Sequence, residues 1–346
     1  MMNKTKAALA LASLAVFVFF GCQRKPTLNI YNWAYYTPDS IVEKFENEFG
    51  VRVRIDEYAS NEEMYAKLKS SGRVGFDLVF PTQDYAAIMI KQGMLERIDH
   101  SRIPNIVNIE PVLVEKFTYD PGIDYSVPYY WGVIGVIVNK SRVSDYEESW
   151  SIFGRPDLRM TMLDDMREVM GAALMYLGYS LNSRDPNQIL EARNLINNEW
   201  KPNLIKFDSE TFGTGYANGE FWVIHCYPNT VFEEIAGNEE LMANTVFFSP
   251  REGASAFIDN MVIPKGARNA DLAHEFINFI HRPEIYAEFC DYFAFYPTAN
   301  VPARDIARTR PWYPLEDVLK AEITYDLEEA LDLWTHEWDT SIRVGN

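Results

Sequence analysis

From residue 27 onward short apolar runs alternate with amphipathic stretches, and that alternation restricts the fold more than any other feature of the chain. Leu28 to Tyr31 reads as a strand. The helix after it carries Ile41, Val42, Phe45 and Phe49 on one face, with Thr37 as cap, Pro38 at the first position and Gly50 as stop. Val51, Val53 and Ile55 alternate with Arg52 and Arg54 as a strand of period two. Ser60-Asn61-Glu62-Glu63 is a capping box that opens a helix with Met64 and Leu68 inward. Phe76 to Phe80 is a strand, and Tyr85 to Gln92 a helix closed by Gly93. Three strand–helix units in succession require right-handed crossovers and predict a mostly parallel sheet.

The middle of the chain repeats this grammar. Strands are predicted at Val133–Asn139, Met160–Leu163, Phe221–Cys226 and Thr245–Phe248, with a further apolar segment from Ala254 to Ile263. Helices are predicted after Asp165 with Met170, Ala173, Leu174 and Leu177 inward, from Asp185-Pro186 towards Trp200, at Ala270–His281 and at about Asp326–Trp338. No Gly/Ser linker divides the two halves. The chain therefore reads as an α/β protein of two lobes, 27–135 plus 258–300 and 136–257 plus 301–346, joined by ordered crossovers with a ligand cleft between them.

Lys4 and Lys6, an apolar run from Ala7 to Phe20 and then Gly21-Cys22 form a secretory signal, with residues 1–21 removed on export. The run is too short to span a membrane, which takes ~20 apolar residues. The small-residue-cysteine junction resembles a lipobox, so Cys22 is the expected lipid attachment. Cys226 and Cys290 then remain, read as buried free thiols rather than a disulfide scaffold. Formal charge is −18, and removal of residues 1–21 leaves 30 basic against 50 acidic residues, or −20. Such a field repels nucleic acid and attracts cations.

Three groups of side chains are candidates for chemistry. Asp165 and Glu168 sit at a helix start, where acids also serve as caps; aimed outward, they would hold a cation. Asp259 lies in an otherwise apolar stretch, where a charge must be paired, solvated or ligand-facing. Trp33, Tyr35, Tyr36, Tyr129, Tyr130, Trp131, Tyr227, Phe257 and Tyr296 include several aromatics placed just after strands, at the sheet edge where α/β proteins bind ligands; Thr82 and Asp84 share that edge. His100, His225, His274, His281 and His336 form no metal-binding spacing, and no phosphate-cradling glycine motif or nucleophile elbow occurs. Neither metal nor cofactor is expected.

Several separated segments together resemble the spermidine/putrescine-binding protein family of bacterial polyamine ABC importers. They are Tyr31-Asn32-Trp33, Ser60-Asn61-Glu62 with Met64 to Lys69, Tyr125 to Tyr129 with Trp131-Gly132, Asp164 to Val169, and Tyr296-Pro297-Thr298, in the family's order between about 27 and 310. The resemblance implies a periplasmic-binding-protein fold whose lobes close over an extended polyamine. It places ligand contacts on Trp33, Tyr36, Thr82, Asp165, Glu168, Tyr227, Phe257, Asp259 and Tyr296. Tyr227 and Phe257 stand where the family has tryptophans. Ala34-Tyr35 replaces a Thr-Glu pair, which loses a carboxylate, and Asp84 replaces a tyrosine, which brings an acid elsewhere. Thr324 is set against a family glutamine that reads the far amine.

The expectation is an exported, lipid-anchored monomer on the periplasmic side of the cytoplasmic membrane. It captures putrescine or spermidine by carboxylates and an aromatic box and passes it to a membrane permease, without being an enzyme. Two other readings remain open. One is a ferric-ion binder using Tyr35-Tyr36 and Tyr129-Tyr130, and the other a hydrolase using Asp165 and Glu168.

Overall fold

The computed structural model describes residues 25–34, 36–70, 75–309 and 312–344. The expected signal segment, Cys22 and Tyr35 lie outside the described residues. Ten strands are seen within them: β1 Thr27–Trp33, β2 Arg52–Tyr58, β3 Leu78–Val79, β4 Ser126–Asn139, β5 Met160–Met162, β6 Leu204–Phe207, β7 Val223–Cys226, β8 Thr245–Phe248, β9 Ser255–Val262 and β10 Glu322–Ile323. They follow the order β2-β1-β3-β9-β4-β7-β5-β6, with β10 beside β9 and β8 beside β4.

Parallel pairing is confined to two triplets, β2-β1-β3 and β6-β5-β7, and to the short β9–β10 contact. Between the triplets run β9 and β4, antiparallel to each other and to their other main neighbours. β4 is the connecting element. Its first half, to Ile134, pairs with β9; its second half, from Gly135, pairs with β7 and β8. The strand is buried throughout, which explains its continuous apolar composition.

Local signals in the chain account for most elements. Gly50 takes φ 65° after the helix Asp39–Phe49, a left-handed cap that a side chain would strain. Ser60 accepts the Glu63 amide at 3.2 Å, as in a capping box, while Glu63 reaches back one residue further, to the Ala59 amide at 3.1 Å. Thr37 does not cap: its hydroxyl accepts from Asn32 Nδ2 at 2.8 Å, and Pro38 becomes the N-cap instead. The predicted strand 76–80 keeps only Leu78–Val79 in the ladder, because Phe76 stacks on Tyr31 and the Asp77 carboxylate takes the amides of Asn29 and Asn269.

β4 begins at Ser126 rather than at the predicted Val133, so Tyr129, Tyr130 and Trp131 lie inside it. The register against β9 shifts between Pro128 and Tyr130, leaving Tyr129 as the extra residue of a bulge. The bulge seats Tyr129 in the core and presents Tyr130 to the cleft. Helices Pro228–Ile235, Pro283–Tyr292 and Leu315–Lys320 were not predicted; each starts at or just after a proline that reads locally as a break.

One large apolar cluster runs from Leu28 to Ile323 and includes Tyr313, Val318 and Ala321. A second gathers Val136, Met170, Leu174, Trp200, Leu327, Trp334 and Ile342. The segment after residue 300 thus crosses from one core to the other.

Candidate ligand-binding site

The two parallel triplets turn their carboxyl ends toward one cleft, and four of those six ends deliver a candidate residue. β1 ends at Trp33, with Tyr36 three residues on; β3 leads into Thr82; β5 leads into Asp165; β7 leads into Tyr227. Helices begin immediately afterwards at Asp39, Gln83, Met166 and Pro228. Loops at this edge are free of ladder constraints and sit over the switch in strand order, so ligands bind there. Phe257 and Asp259 come from β9, opposite Gly132 and Tyr130 of β4, and Thr82 bridges Asp259 directly.

Trp33, Tyr36, Thr82, Tyr130, Tyr227, Phe257 and Asp259 line a single cavity of about 440 Å³, within the range of small-molecule sites. Val133, Phe295, Tyr313 and the start of the helix Pro228–Ile235 complete the wall. The walls are ring-dense: Tyr227 meets Phe257 edge-on at 5.7 Å, and Tyr130 stacks on Phe295 at 4.3 Å. Tyr296 is not among the lining residues; its neighbour Phe295 is. Ala294, at φ 54°, turns the chain out of the helix Pro283–Tyr292 so that the Phe295 amide closes on the Cys290 carbonyl at 2.8 Å. Sequence reasoning missed Phe295 and Tyr313, since nothing local separates a cleft aromatic from a core one.

Asp259 and Glu168 are buried, Asp84 and Asp165 half-buried, and their surroundings differ. Tyr36 donates to Asp259 Oδ2 at 2.9 Å. Burial nevertheless pushes the Asp259 carboxyl up to about 7, with the Tyr36 bond opposing and the Asp84 charge reinforcing the rise. Asp165 caps the helix Met166–Tyr176, its Oδ1 accepting the amides of Arg167 at 2.8 Å and Glu168 at 3.1 Å. Burial still raises it above the usual carboxylate range. Glu168 does not return the bond as a capping box would. It is 7% exposed, its Oε1 accepts from Ser255 of β9 at 3.0 Å, and its Oε2 is buried without a partner among the described residues. Burial and then the charge of Asp165 push it up to about 8, against the Ser255 bond and Arg167. Asp84 is likewise raised by burial, its carboxylate taking the Thr82 hydroxyl. Asp84, Asp165 and Glu168 do not line the cavity, but with Asp259 all three act on the Tyr227 hydroxyl at its wall.

This arrangement is poised for cations. Buried carboxylates held above their ordinary range, one with an unused oxygen, gain when a positive group enters. Of the tyrosines proposed for iron, Tyr129 donates to the Tyr36 carbonyl at 3.0 Å, Tyr130 faces the Tyr313 hydroxyl at 3.5 Å and Tyr36 donates to Asp259. Thr324 meets Gln83 by hydrogen bond, and Gln83 Oε1 accepts the Ile258 amide at 2.8 Å. That threonine thus braces the wall.

Gly132 marks the tightest approach. A Cβ there would lie 2.5 Å from Cζ of Phe257, its partner in the ladder. Gly132→Ala is expected to displace the Phe257 ring into the cavity, destabilising the chain by about 1–3 kcal/mol. Thermal unfolding reads the stability loss, and titration reads the narrowed site.

Comparison with known proteins agrees with the geometry. Residues 40–311 match the bacterial extracellular solute-binding proteins. The chain belongs to that family. Among solute-binding relatives, the spermidine/putrescine-binding periplasmic protein of Escherichia coli is 35% identical over 92% of each chain. The putrescine-binding periplasmic protein SpuD of Pseudomonas aeruginosa is 33% identical over 99% of this chain and 98% of its own. The solved TpPotD lipoprotein of Treponema pallidum is 44% identical, with a TM-score of 0.87 over 90% of this chain and 98% of that one. The two-lobed α/β fold of extracellular solute-binding proteins is therefore the fold of this chain. Its family is one of substrate-binding transport proteins.

Proposed function

We propose that this solute-binding protein captures a linear polyamine of the putrescine–spermidine class in the ring-lined cavity and delivers it to a membrane ABC permease. Glu168 Oε2, buried beside Asp165 and without a partner among the described residues, carries the reading. An oxygen of that kind costs free energy until a donor reaches it, and an ammonium group is the donor that also relieves the charge. Asp259, at the aromatic wall, holds a second ammonium. Trp33, Tyr36, Tyr227, Phe257 and Phe295 sheathe the methylenes between, each ring contributing ~0.5–2 kcal/mol where it also faces a cation. Relatives named for putrescine and spermidine support the same choice of guest.

The finer features belong to the same proposal. The lobes are 27–135 plus 258–300 and 136–257 plus 301–346, closing on the guest. The chain is exported, anchored through a lipid on Cys22, monomeric, and no enzyme: capture needs no nucleophile, and burial raises the thiols of Cys226 and Cys290 well above their ordinary range. Isothermal titration of the mature chain with putrescine, spermidine and spermine, followed by chromatography of the recovered amine, tests the reading. Saturable one-site binding with the amine returned unchanged is expected. Absence of binding to all three, or a converted product, overturns it.

A further inference from the structure

Asp84 occupies the second position of the helix Gln83–Lys91, two residues beyond Thr82, which bridges Asp259 on β9. The start of that helix is fastened on several sides. Thr82 accepts from Asn61 Nδ2 at 2.8 Å, Gln83 Oε1 accepts the Ile258 amide at 2.8 Å, and Gln83 also bonds the Thr324 hydroxyl. Asp84 itself accepts the Thr82 hydroxyl. It is thus a positioned carboxylate, placed between the acid of β9 and those of the helix Met166–Tyr176.

The charges it faces come from both sides. Asp259 feels Asp84, and Asp165 feels Asp84 from the facing helix, while Glu168 feels Asp165. Contacts tie the four acids in two pairs: Thr82 links Asp84 to Asp259, and Asp165 caps the amide of Glu168. One guanidinium, Arg167, stands against them; its Nη1 and Nη2 donate to the Tyr325 carbonyl and Asn182 Oδ1, both at 2.7 Å. Fully ionised, these four carboxylates outnumber the Arg167 guanidinium by three charges, and Arg167 is shared with Asp326 as well. Among the described residues, Glu168 Oε2 is buried and meets no hydrogen-bond donor.

We propose that Asp84 is a specificity-determining residue, the carboxylate that fits this cleft to a guest with three cationic nitrogens rather than two. The proposal rests on the polyamine reading above and deepens it. A diamine leaves one buried carboxylate uncompensated, or forces it to keep a proton; a triamine leaves none. Discrimination thus comes from a counter-charge held behind the wall residue Thr82, not from the length of the cavity.

Titration of the full mature chain and of Asp84→Asn with putrescine and with spermidine tests this. The amide keeps the shape and can still accept from Thr82, so the wall is preserved. The parent is expected to bind spermidine tenfold or more tighter than putrescine, and Asp84→Asn to shrink that ratio by tenfold or more, mainly through weaker spermidine binding. Thermal unfolding confirms that the variant is folded; if it is not, Asp84→Ser is read the same way. A parent that binds putrescine as tightly as spermidine overturns the role of Asp84, as does a ratio unchanged in the variant. A parent that binds neither amine overturns the polyamine reading itself, and the two failures are distinguishable.

Discussion

The Asp259→Asn chain is expected to bind spermidine with a loss of at least about 1.5 kcal/mol, roughly tenfold or more in Kd. Asp259 sits on β9 opposite Tyr130, accepts the Tyr36 hydroxyl and lines the cavity. Asparagine matches its shape and can keep the Tyr36 bond, so the change isolates the charge. A neutral acceptor still takes a hydrogen bond from an ammonium group but no longer balances it in a buried site. Empty-state stability should fall little at neutral pH, because burial has already pushed this carboxyl up to about 7. Titration calorimetry and a melt of the empty chain read both parts. Affinity within twofold of the parent would remove Asp259 from the binding site.

Glu168→Gln should lose affinity by a similar or larger factor and, unlike a simple packing change, flatten two pH profiles. The Glu168 carboxyl rises from 4.5 to about 8 in the folded, empty chain. The folded state therefore holds a proton that the unfolded state has released across that window. Its stabilising contribution is fully present below the unfolded value and is lost as pH rises through about 8, at about 1.4 kcal/mol per pH unit for one proton. Asp259 adds the same sign between 3.8 and about 7. Ligand-free stability should thus decline from mildly acidic to mildly alkaline pH. Binding runs the other way: an ammonium group needs the ionised carboxylates, so capture releases protons and affinity rises over the same interval. In Glu168→Gln both slopes should shrink, and calorimetry in buffers of different ionisation enthalpy should count fewer protons released. An unaltered proton count would place the titrating group elsewhere.

Much of the site was legible because it follows a sheet edge. Trp33, Thr82, Asp165 and Tyr227 each stand just after an apolar run that proved to be a parallel strand, and the chemistry of those loops is local. Glu168 was ambiguous for a physical reason: an acid at N3 has the same sequence signature whether it caps its helix or turns away to Ser255. Tyr129, Tyr130 and Trp131 fell outside the predicted strand Val133–Asn139, because β4 starts at Ser126 and carries a bulge that no period in the chain announces. Tyr296 yielded its expected place on the cavity wall to Phe295, since a one-residue shift after a helix end exchanges the side chain that points inward.

The chain alone determined the alternation of strands and helices, the helix stops at Gly50 and Gly93, and the acidic, aromatic character of the sheet edge. Those depend on neighbours within a few residues and on composition. Tertiary structure decided what burial and long-range approach decide: the switch of β4 from one triplet to the other, the seating of Phe257 against Gly132, and the gathering of Asp84, Asp165, Glu168 and Asp259 around Tyr227. A carboxylate's energy depends on the dielectric and charges around it, and these exist only once distant segments have come together.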